Sequence, residues 1–280
     1  MKHIIIGKRS NLSNALSKTL DDVIILSTSN IEDELQALQI PDDSSVNIIF
    51  NNFQPAVNLS NLDDPLGYVR HSILVTSIVL DFIEKHALPV HKVIYTSSSS
   101  VYGNNVFCDE SDAVQPLSLH AALKIANEEL VKKFCTDHGI DYTIGRIFNM
   151  YGGNDHFSVI SKIVDCFDSD KPFTVINNGN AIRDFIHISD VVKAYRGLLD
   201  VEGIPILNIG SSEGVSIKGI LDFLKLQGIH IKTINMKKDE LKVSTSDNSR
   251  LCTLLGTKKF VKVEEELMKM LQSTKRWHRG

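Results

Sequence analysis

The chain has 280 residues, of which 42% are hydrophobic and 23% are charged, and its formal net charge is −4. This length and composition allow one soluble domain with a sizeable core and a subsidiary lobe. The weak negative charge provides no general attraction to nucleic acid or membrane surfaces, so we expect neither as a partner. The cysteines form no C-x-x-C pair and the first apolar run ends at Ile6. Both features favour a reducing, cytoplasmic setting without a metal site, disulfides or a signal peptide.

The first segment predicts a strand, a turn and a helix. Residues 2–6 (KHIII) form a buried β pattern, and residues 7–13 (GKRSNLS) predict a turn into a helix with one apolar face. At the start of a Rossmann unit, this arrangement binds the pyrophosphate of a dinucleotide through backbone amides. The candidate cofactor-binding residues of the turn are Gly7, Arg9, Ser10 and Ser13.

The second strand, residues 23–26, bears on the choice of dinucleotide. It is followed by three hydroxyl residues at 27–29 and has no Asp or Glu at its end. An NAD-selective site commonly holds the ribose 2′-hydroxyl with a carboxylate at that place. Hydroxyl groups together with the Arg9 guanidinium would instead tolerate a 2′-phosphate. The sequence therefore favours NADP(H) over NAD(H) as the cofactor.

Two further elements precede the middle of the chain. Residues 46–50 predict a third buried strand, and residues 69–86 predict a long amphipathic helix that covers the sheet. The same helix offers a face on which two copies of the chain could pair. A homodimer is therefore a possible assembly.

The central segment joins a serine-rich strand end to a helix. Residues 92–103 (KVIYTSSSSVYG) end a β-branched strand in four consecutive serines, and residues 118–134 (SLHAALKIANEELVKKF) predict a helix. His120 and Lys124 are four residues apart and therefore share one face of that helix. A strand-end hydroxyl beside a lysine and a second proton-active side chain can act as a proton relay. The segment thus predicts a catalytic site.

The remaining chain continues the alternation of strands and helices. Residues 141–147 predict a fifth strand, and the chain ends in a basic tail at 275–279 that we interpret as a solvated terminus. The repeated alternation predicts an α/β fold with a Rossmann-like, doubly wound parallel sheet and a small C-terminal substrate-binding lobe. The predicted dinucleotide-binding domain comprises residues 1–150 and about 172–200, and the lobe comprises about 151–171 and 201–280.

Four motifs together resemble the extended short-chain dehydrogenase/reductase enzymes of the NAD-dependent epimerase/dehydratase family, which act on sugar nucleotides. The first is the serine strand followed by HAALK at 120–124, where the family has Tyr-x-x-x-Lys. The second is RIFNMYG at 146–152, similar to the family's R-x-x-N-x-Y-G. The other two are RDFIHISDV at 183–191 and DNSRLCTLLG at 247–256. The resemblance covers essentially the whole chain.

The chain departs from the family pattern in its glycine motif and at the tyrosine. Of G-x-x-G-x-x-G it keeps only Gly7, with Ser10 and Ser13 at the other two places. The Cβ of Ser10 crowds the place where the backbone approaches the phosphates. His120 replaces the catalytic tyrosine, and the triplet NNF at 51–53 replaces a small, alanine-rich turn.

The resemblance implies a role for each candidate residue. Ser98, counted back from the family's Tyr-Gly pair, would hydrogen-bond the sugar oxygen, and His120 would move its proton. Lys124 would hold the nicotinamide ribose and supply positive charge, which disfavours a cationic imidazole beside it. Asn149 and Arg183 would bind the diphosphate of the sugar nucleotide, the arginine through its planar fork.

The implied activity is NAD(P)H-dependent reduction of a 4-keto-6-deoxy nucleoside-diphosphate sugar, or epimerisation of a sugar nucleotide, for surface polysaccharides. Residues 98–103 lack the Asp-Glu pair that 4,6-dehydratases of the family carry, which argues against dehydration. The alternative is a degenerate relative that binds a sugar nucleotide or a partner enzyme without redox catalysis. Its basis is that Ser10, Ser13 and His120 all depart from the catalytic pattern.

Overall fold

The computed structural model describes residues 1–40, 45–51, 63–275 and 277. Its strands are, in order, β1 (Lys2–Ile6), β2 (Val23–Leu26), β3 (Val46–Phe50), β4 (Val90–Ser98), β5 (Phe107–Cys108), β6 (Asp141–Ile147), β7 (Asn149–Tyr151), β8 (Phe173–Ile176), β9 (Ile182–His187), β10 (Ile206–Ile209), β11 (Gly214–Ser216), β12 (Thr233–Met236) and β13 (Val243–Ser246). Its α-helices are α1 (Asn11–Ser17), α2 (Ile31–Gln36), α3 (Pro65–Val69), α4 (Val75–Lys85), α5 (Leu119–His138), α6 (Val159–Ser169), α7 (Ile188–Leu199), α8 (Ile217–Leu226), α9 (Ser249–Leu255) and α10 (Val263–Gln272). The predicted turn residues Asn52 and Phe53, and the predicted tail residues Arg276, His278 and Arg279, lie outside the described residues.

The central layer is a six-stranded sheet in the order β2-β1-β3-β4-β6-β10, and its strands are all parallel. Side chains alternate between its faces, as a period of two requires. In β1, Ile4 and Ile6 join the apolar cluster on one face, and Ile5 joins the cluster on the other. Both faces are apolar because helices cover both of them.

Helices α2, α4 and α5 cover one face of this sheet, and α1, α7 and α9 cover the other. Parallel strands need crossover connections, and here those connections are the helices themselves. The structure therefore confirms the predicted α/β class with a Rossmann-like, doubly wound sheet. Because all six strands are parallel, their carboxyl ends meet along one edge of the sheet, which is where such folds bind ligands.

The helix predicted over 69–86 begins earlier in the structure. Asp64 caps it by accepting a hydrogen bond from the Gly67 amide (2.9 Å), and a π-helical turn joins α3 to α4. Within the described residues, Pro65–Lys85 is the one helical segment long and apolar enough to span a membrane. Its inner side chains pack in the core against the sheet, namely Val75, Val79, Leu80 and Ile83.

A second layer is built from the strands outside the six-stranded sheet, most of which follow β6 in sequence. Strands β11, β9, β13 and β5 form a sheet in that order, β7 pairs with the other end of β9, and β8 pairs with β12. Helices α6, α8 and α10 enclose an apolar cluster against β8 and β9. Strand β10 lies in the six-stranded sheet, although its residues fall within the range 201–280 predicted for the lobe. The domain boundaries themselves stay a prediction.

Candidate active site

The candidate catalytic residues lie where β4 ends and α5 begins. Ser118 caps α5 by accepting a hydrogen bond from the Ala121 amide (3.2 Å). The helix then continues for 20 residues to Gly139, whose left-handed backbone (φ +66°) ends it. Because α5 packs on β4, its first turns lie beside the carboxyl end of that strand, with His120 one turn before Lys124.

Lys124 is 6% exposed and sits directly on the end of β4. Its Nζ donates a hydrogen bond to the carbonyl oxygen of Thr96 (2.7 Å) and lies 5.0 Å from the centre of the Tyr95 ring. Burial lowers the pKa of Lys124 to about 8, and the nearby Glu128 carboxylate opposes that shift. The ammonium is therefore still charged at pH 7.

His120 is half-buried at the start of the same helix. Burial, and secondarily the charge of Lys124, lower the pKa of His120 to about 4. The imidazole is therefore neutral at pH 7 and carries a nitrogen that can accept a proton. The sequence foresaw the effect of Lys124, whereas the larger effect of burial depends on the fold.

The consecutive serines differ in their surroundings. Ser97 is buried, and its hydroxyl donates to the Glu128 carboxylate, so that it has no proton left for a ligand. Ser98 is half-buried, and its Oγ accepts a hydrogen bond from the Ser100 amide (3.2 Å). Because this bond uses the oxygen only as an acceptor, the Ser98 hydroxyl keeps its proton for a ligand.

A buried ion pair lies behind these residues, and the sequence motifs did not predict it. Arg146 on β6 donates to Glu128 on α5 through Nε (3.2 Å) and a terminal nitrogen (2.7 Å), and both side chains are almost fully buried. Its guanidinium also lies 4.8 Å from the centre of the Tyr102 ring. The available signal was the spacing of Glu128, which follows Lys124 by four residues on the same helix face.

The turn between β1 and α1 brings together the four candidate cofactor-binding residues. Gly7 has a positive φ (+122°), which a side chain would strain, and its amide donates to the Leu26 carbonyl (2.9 Å). Ser10 caps α1 by accepting a hydrogen bond from the Ser13 amide (3.3 Å). Arg9 is exposed beside them. Ser10 thus caps the helix through its side-chain oxygen, which a glycine at this position would not have.

Ser13 belongs to a chain of buried hydrogen bonds that the sequence analysis missed. Its hydroxyl accepts from the Asn51 side-chain amide (3.3 Å), and the Asn51 oxygen accepts from the Thr96 hydroxyl. The Thr96 hydroxyl lies 2.6 Å from the Tyr195 hydroxyl. Two departures from the family pattern, Ser13 and Asn51, therefore satisfy each other's polar groups.

A carboxylate stands at the end of β2, although residues 27–29, directly after that strand, include no acid. Glu34 projects from α2, and its Oε2 accepts a hydrogen bond from the Ser27 amide (2.6 Å). The side chain is partly exposed. A carboxylate at this place can accept hydrogen bonds from a ribose hydroxyl, and its charge repels a 2′-phosphate. In the sequence, Glu34 is eight residues beyond the end of β2, so the residues next to the strand did not indicate it.

The two candidate substrate-binding residues both have partners within the chain. Asn149 Nδ2 donates to the Asp184 carbonyl (3.0 Å) and so ties β7 to β9. Arg183 donates from one terminal nitrogen to the Ile182 carbonyl (2.9 Å) and from the other to the Glu240 carboxylate (3.3 Å). Burial lowers the pKa of the Arg183 guanidinium.

A cleft of about 820 Å³ has both partners of the Arg183 guanidinium, Ile182 and Glu240, in its lining. Lysines from the segment between β12 and β13 line it, namely Lys237, Lys238 and Lys242. Asp239 and Glu240 also line the cleft, so its three ammonium groups leave a small excess of positive charge, which favours anions such as a diphosphate. The signal in the sequence was the charged run KKDELK at 237–242, which the sequence analysis did not use.

Groups of three or more His, Cys, Asp or Glu side chains that could hold a metal ion are absent from the described part of the chain. The four cysteines are free. The candidate catalytic residues bring hydroxyl, imidazole and ammonium groups together at the end of a Rossmann sheet.

The fold and the site define a dinucleotide-dependent enzyme of the Rossmann type. The profile of the NAD dependent epimerase/dehydratase family matches residues 2–210, and the chain belongs to that family. A UDP-glucuronate 4-epimerase from Thermodesulfobacterium geofontis is 28% identical over 224 residues, which cover 77% of this chain and 68% of the relative. UDP-glucuronate 4-epimerase 1 of Arabidopsis thaliana is 33% identical over 186 residues, covering 59% of this chain and 43% of the relative.

Two solved structures show the same fold. MoeE5 in complex with UDP-glucose and NAD is 24% identical, with a TM-score of 0.84 over 100% of this chain and 99% of that one. The UDP-glucuronic acid 4-epimerase of Bacillus cereus, in complex with UDP-glucuronic acid and NAD, is 22% identical. Its TM-score is 0.82, covering 97% of this chain and 98% of that one.

The expected preference for NADP(H) is wrong. The family is NAD dependent by description, and both solved relatives contain NAD. The physical reason lies in Glu34, whose carboxylate occupies the strand end that the sequence left without an acid. The hydroxyls after β2 and the exposed Arg9 had indicated room for a 2′-phosphate, but the first of those hydroxyl residues, Ser27, holds the Glu34 carboxylate through its backbone amide. The described residues thus fit the dinucleotide without the extra phosphate.

Proposed function

We propose that the protein is an NAD-dependent 4-epimerase of a UDP-sugar, such as UDP-glucuronic acid or UDP-glucose. The observation that carries the proposal is the pairing of a neutral, half-buried His120 with the buried ammonium of Lys124 at the carboxyl end of β4. Family membership and the named activities of the relatives support it. The substrate's diphosphate would bind at Arg183 and the lysines of the adjoining cleft.

The proposed residues divide the work of holding the two ligands. The turn with Gly7 and Ser10 would approach the dinucleotide pyrophosphate, Glu34 would accept from its ribose, and Lys124 would face its nicotinamide end. Bound NAD would supply the acceptor and later the donor of a hydride. Since the hydride that leaves the sugar is the one that returns, the overall reaction consumes no cofactor.

His120 would move the proton that accompanies the hydride. As the hydride leaves the sugar carbon, the neutral imidazole accepts the proton of the attached hydroxyl, and the Ser98 hydroxyl donates a hydrogen bond to the same oxygen. The imidazolium so formed would be more acidic than an exposed one, because burial and the charge of Lys124 lower its pKa to about 4. It therefore returns the proton to that oxygen when the hydride comes back to the opposite face.

Two other activities remain as competing proposals. Reduction of a 4-keto-6-deoxy sugar nucleotide would use the same residues, but its argument from NADP(H) selectivity no longer holds. Binding of a sugar nucleotide without redox chemistry is favoured by the substitutions at Ser10, Ser13 and His120. Ser10 accepts a hydrogen bond from the Ser13 amide and Ser13 accepts one from Asn51, and these bonds weigh against degeneration there.

The deciding experiment incubates the purified protein with a UDP-sugar and a catalytic amount of NAD in deuterated buffer. Epimerisation yields the 4-epimer by nuclear magnetic resonance, with no deuterium at carbon 4 and no net NADH. Stoichiometric NADH consumption with a 4-keto-6-deoxy sugar nucleotide would instead support the reductase. Binding of UDP without turnover of any of these substrates would support the non-redox alternative.

We also propose a cytoplasmic location and a role in supplying sugars for surface polysaccharides, since UDP-sugars of this kind are biosynthetic precursors. Pairing of two copies through the α3–α4 segment stays a prediction. Its exposed apolar side chains support the idea of a covered face, namely Leu66, Val69 and Leu74. Light scattering of the purified protein distinguishes a monomer from a dimer.

A further inference from the structure

Asn11 bridges two segments that are far apart in sequence. It is the first residue of α1, directly after Ser10 in the turn that follows β1. Its Nδ2 donates a hydrogen bond to the Gly152 carbonyl (2.9 Å), and its Oδ1 accepts one from the Asn154 amide (3.0 Å). One side-chain amide thus makes the paired donor and acceptor contacts that a neighbouring strand would make.

The bridged segment, residues 152–154, is a tight turn that needs its glycines. Gly152 and Gly153 both have positive φ (+92° and +65°). A Cβ on Gly152 would lie 2.2 Å from Nε2 of His187, and a Cβ on Gly153 would lie 3.0 Å from Oδ1 of Asn11. The turn is therefore held between Asn11 on one side and the His187 ring on the other.

This turn is continuous with the strands that carry the candidate substrate residues. It follows β7, whose Asn149 is bonded to β9, and His187 ends β9, which also carries Arg183. Asn11 itself directly follows the turn that carries Gly7 and Ser10. Asn11 is thus a direct polar link between the proposed dinucleotide site and the proposed sugar-nucleotide site.

We propose that Asn11 is a positioning residue that couples the binding of NAD to the binding of the UDP-sugar. This inference rests on the proposed function. A ligand that orders either the turn after β1 or the turn at 152–154 also orders the other one through Asn11. The second ligand then binds to a segment that is already ordered, and its affinity rises. The coupling must be reciprocal, because it is a free energy shared by the two sites.

The test measures NAD affinity by calorimetry with and without saturating UDP, and UDP affinity with and without saturating NAD. In the parent protein we expect each ligand to tighten the other by at least about 5-fold, within the usual range of such couplings. In Asn11→Ala the factor should fall to about 1. Asn11→Asp keeps the acceptor for the Asn154 amide and loses the donor to Gly152, so we expect an intermediate factor.

Asn14→Ala is the matched control. It removes a hydrogen bond of equal type from the same short helix, Nδ2 to the Ser10 carbonyl (3.0 Å), but leaves the turn at 152–154 untouched. This variant should keep the coupling of the parent. Amide exchange gives a readout without ligands, since the Asn154 amide should exchange faster in Asn11→Ala and stay protected in Asn11→Asp and Asn14→Ala.

The outcomes separate the coupling from the proposed function. If NAD and UDP both bind but independently of each other, or if Asn11→Ala keeps the parent's factor, the coupling is wrong and the proposed function stands. An equal loss of coupling in Asn14→Ala would also overturn the role of Asn11. If the parent binds neither ligand, both proposals fail together.

Discussion

His120 and Lys124 are one helical turn apart, and their surroundings leave one neutral and the other charged at pH 7. Burial lowers both pKa values, to about 4 for His120 and to about 8 for Lys124. The neutral base and the cation therefore coexist only between those two values. The spacing of the pair was visible in the sequence, but the degree of burial that shifts the pKa values was not.

We predict a broad pH optimum for the epimerase reaction. His120 must be unprotonated, which holds above about pH 4, and Lys124 must be charged, which holds below about pH 8. The value of kcat/KM should thus be flat from about pH 5 to about pH 7 and fall above about pH 8. A profile measured from pH 5 to 10 checks this. Lys124→Arg, which stays charged throughout, should lose the alkaline fall, and an unchanged fall would assign it to another group.

Removal of the imidazole should abolish most of the turnover. We expect His120→Ala to lower kcat by roughly 10²- to 10⁴-fold, the usual contribution of general acid-base catalysis. His230→Ala, which changes an exposed histidine in the second layer, should match the parent. Turnover by His120→Ala at the parental rate would contradict the proposed role of the imidazole.

Glu34 should determine the selectivity between the two dinucleotides. In Glu34→Gln the negative charge is lost, so we expect the Kd of NAD to rise about 10-fold and the Kd of NADP to fall. Calorimetric titration with both dinucleotides measures this. Glu32→Gln is the control. Glu32 is exposed on the same helix, and its carboxylate lies 3.4 Å from a terminal nitrogen of Arg70. An unchanged ratio of the two Kd values in Glu34→Gln would show that another group selects the dinucleotide.

At the scale of elements, α5 is attached to the sheet by polar contacts as well as by its apolar face. Lys124 bonds the end of β4, and Glu128 bonds Arg146 on β6 and Ser97 on β4. These contacts fix the position of α5 along its own axis relative to the carboxyl ends of the strands. The position of His120 therefore depends on charges buried in the next turn of its own helix.

Breaking the Glu128–Arg146 pair should strongly destabilise the fold. We expect Glu128→Gln to lower the free energy of unfolding by about 3–5 kcal/mol, because it leaves the buried guanidinium without its counter-charge. Denaturant unfolding followed by circular dichroism measures the change. Asp222→Asn, which breaks the exposed Lys218–Asp222 pair on α8, should cost at most about 1 kcal/mol. Equal losses in the two variants would be incompatible with a stabilising role of the buried pair.

At the scale of the whole molecule, the residues that we propose to bind the two ligands are divided between the parallel sheet and the second layer. The first layer provides the turn after β1 and the relay at β4, and the second provides Arg183 and the lysine-lined cleft. Ligands that bind only the native state stabilise it in proportion to the logarithm of their concentration. The two ligands together should therefore stabilise both layers against unfolding.

Thermal unfolding should reflect this arrangement. At about 100 times its Kd, NAD should stabilise the native state by about 2.7 kcal/mol, which raises Tm by several degrees for a chain of this size. UDP should do the same, and the two together should exceed the sum if the sites are coupled. Differential scanning calorimetry measures each case, with NADP at the same concentration as the comparison. No shift with NAD would contradict the assigned cofactor.

Local sequence determined most of the architecture. The bounds predicted for β1, β2, β3 and β6 match the structure, because runs of β-branched residues between turn signals carry the strand pattern within a few positions. The left-handed end of α5 at Gly139 and the shared face of His120 and Lys124 also depend only on residues that are close together in the sequence. The family motifs are also contiguous stretches, and so the family was recognisable from the chain alone.

Only the tertiary structure decided which side chains meet. Glu34 reaches Ser27 because α2 folds back over the end of β2, and Asn51 meets Ser13 because β3 lies beside β1. The pairing of Arg183 with Glu240 likewise crosses 57 residues. No periodicity in the sequence encodes such distances, since they arise from the packing of whole elements. The carboxylate that we propose to select the cofactor is placed by one of these contacts, and the sequence by itself predicted the cofactor preference wrongly.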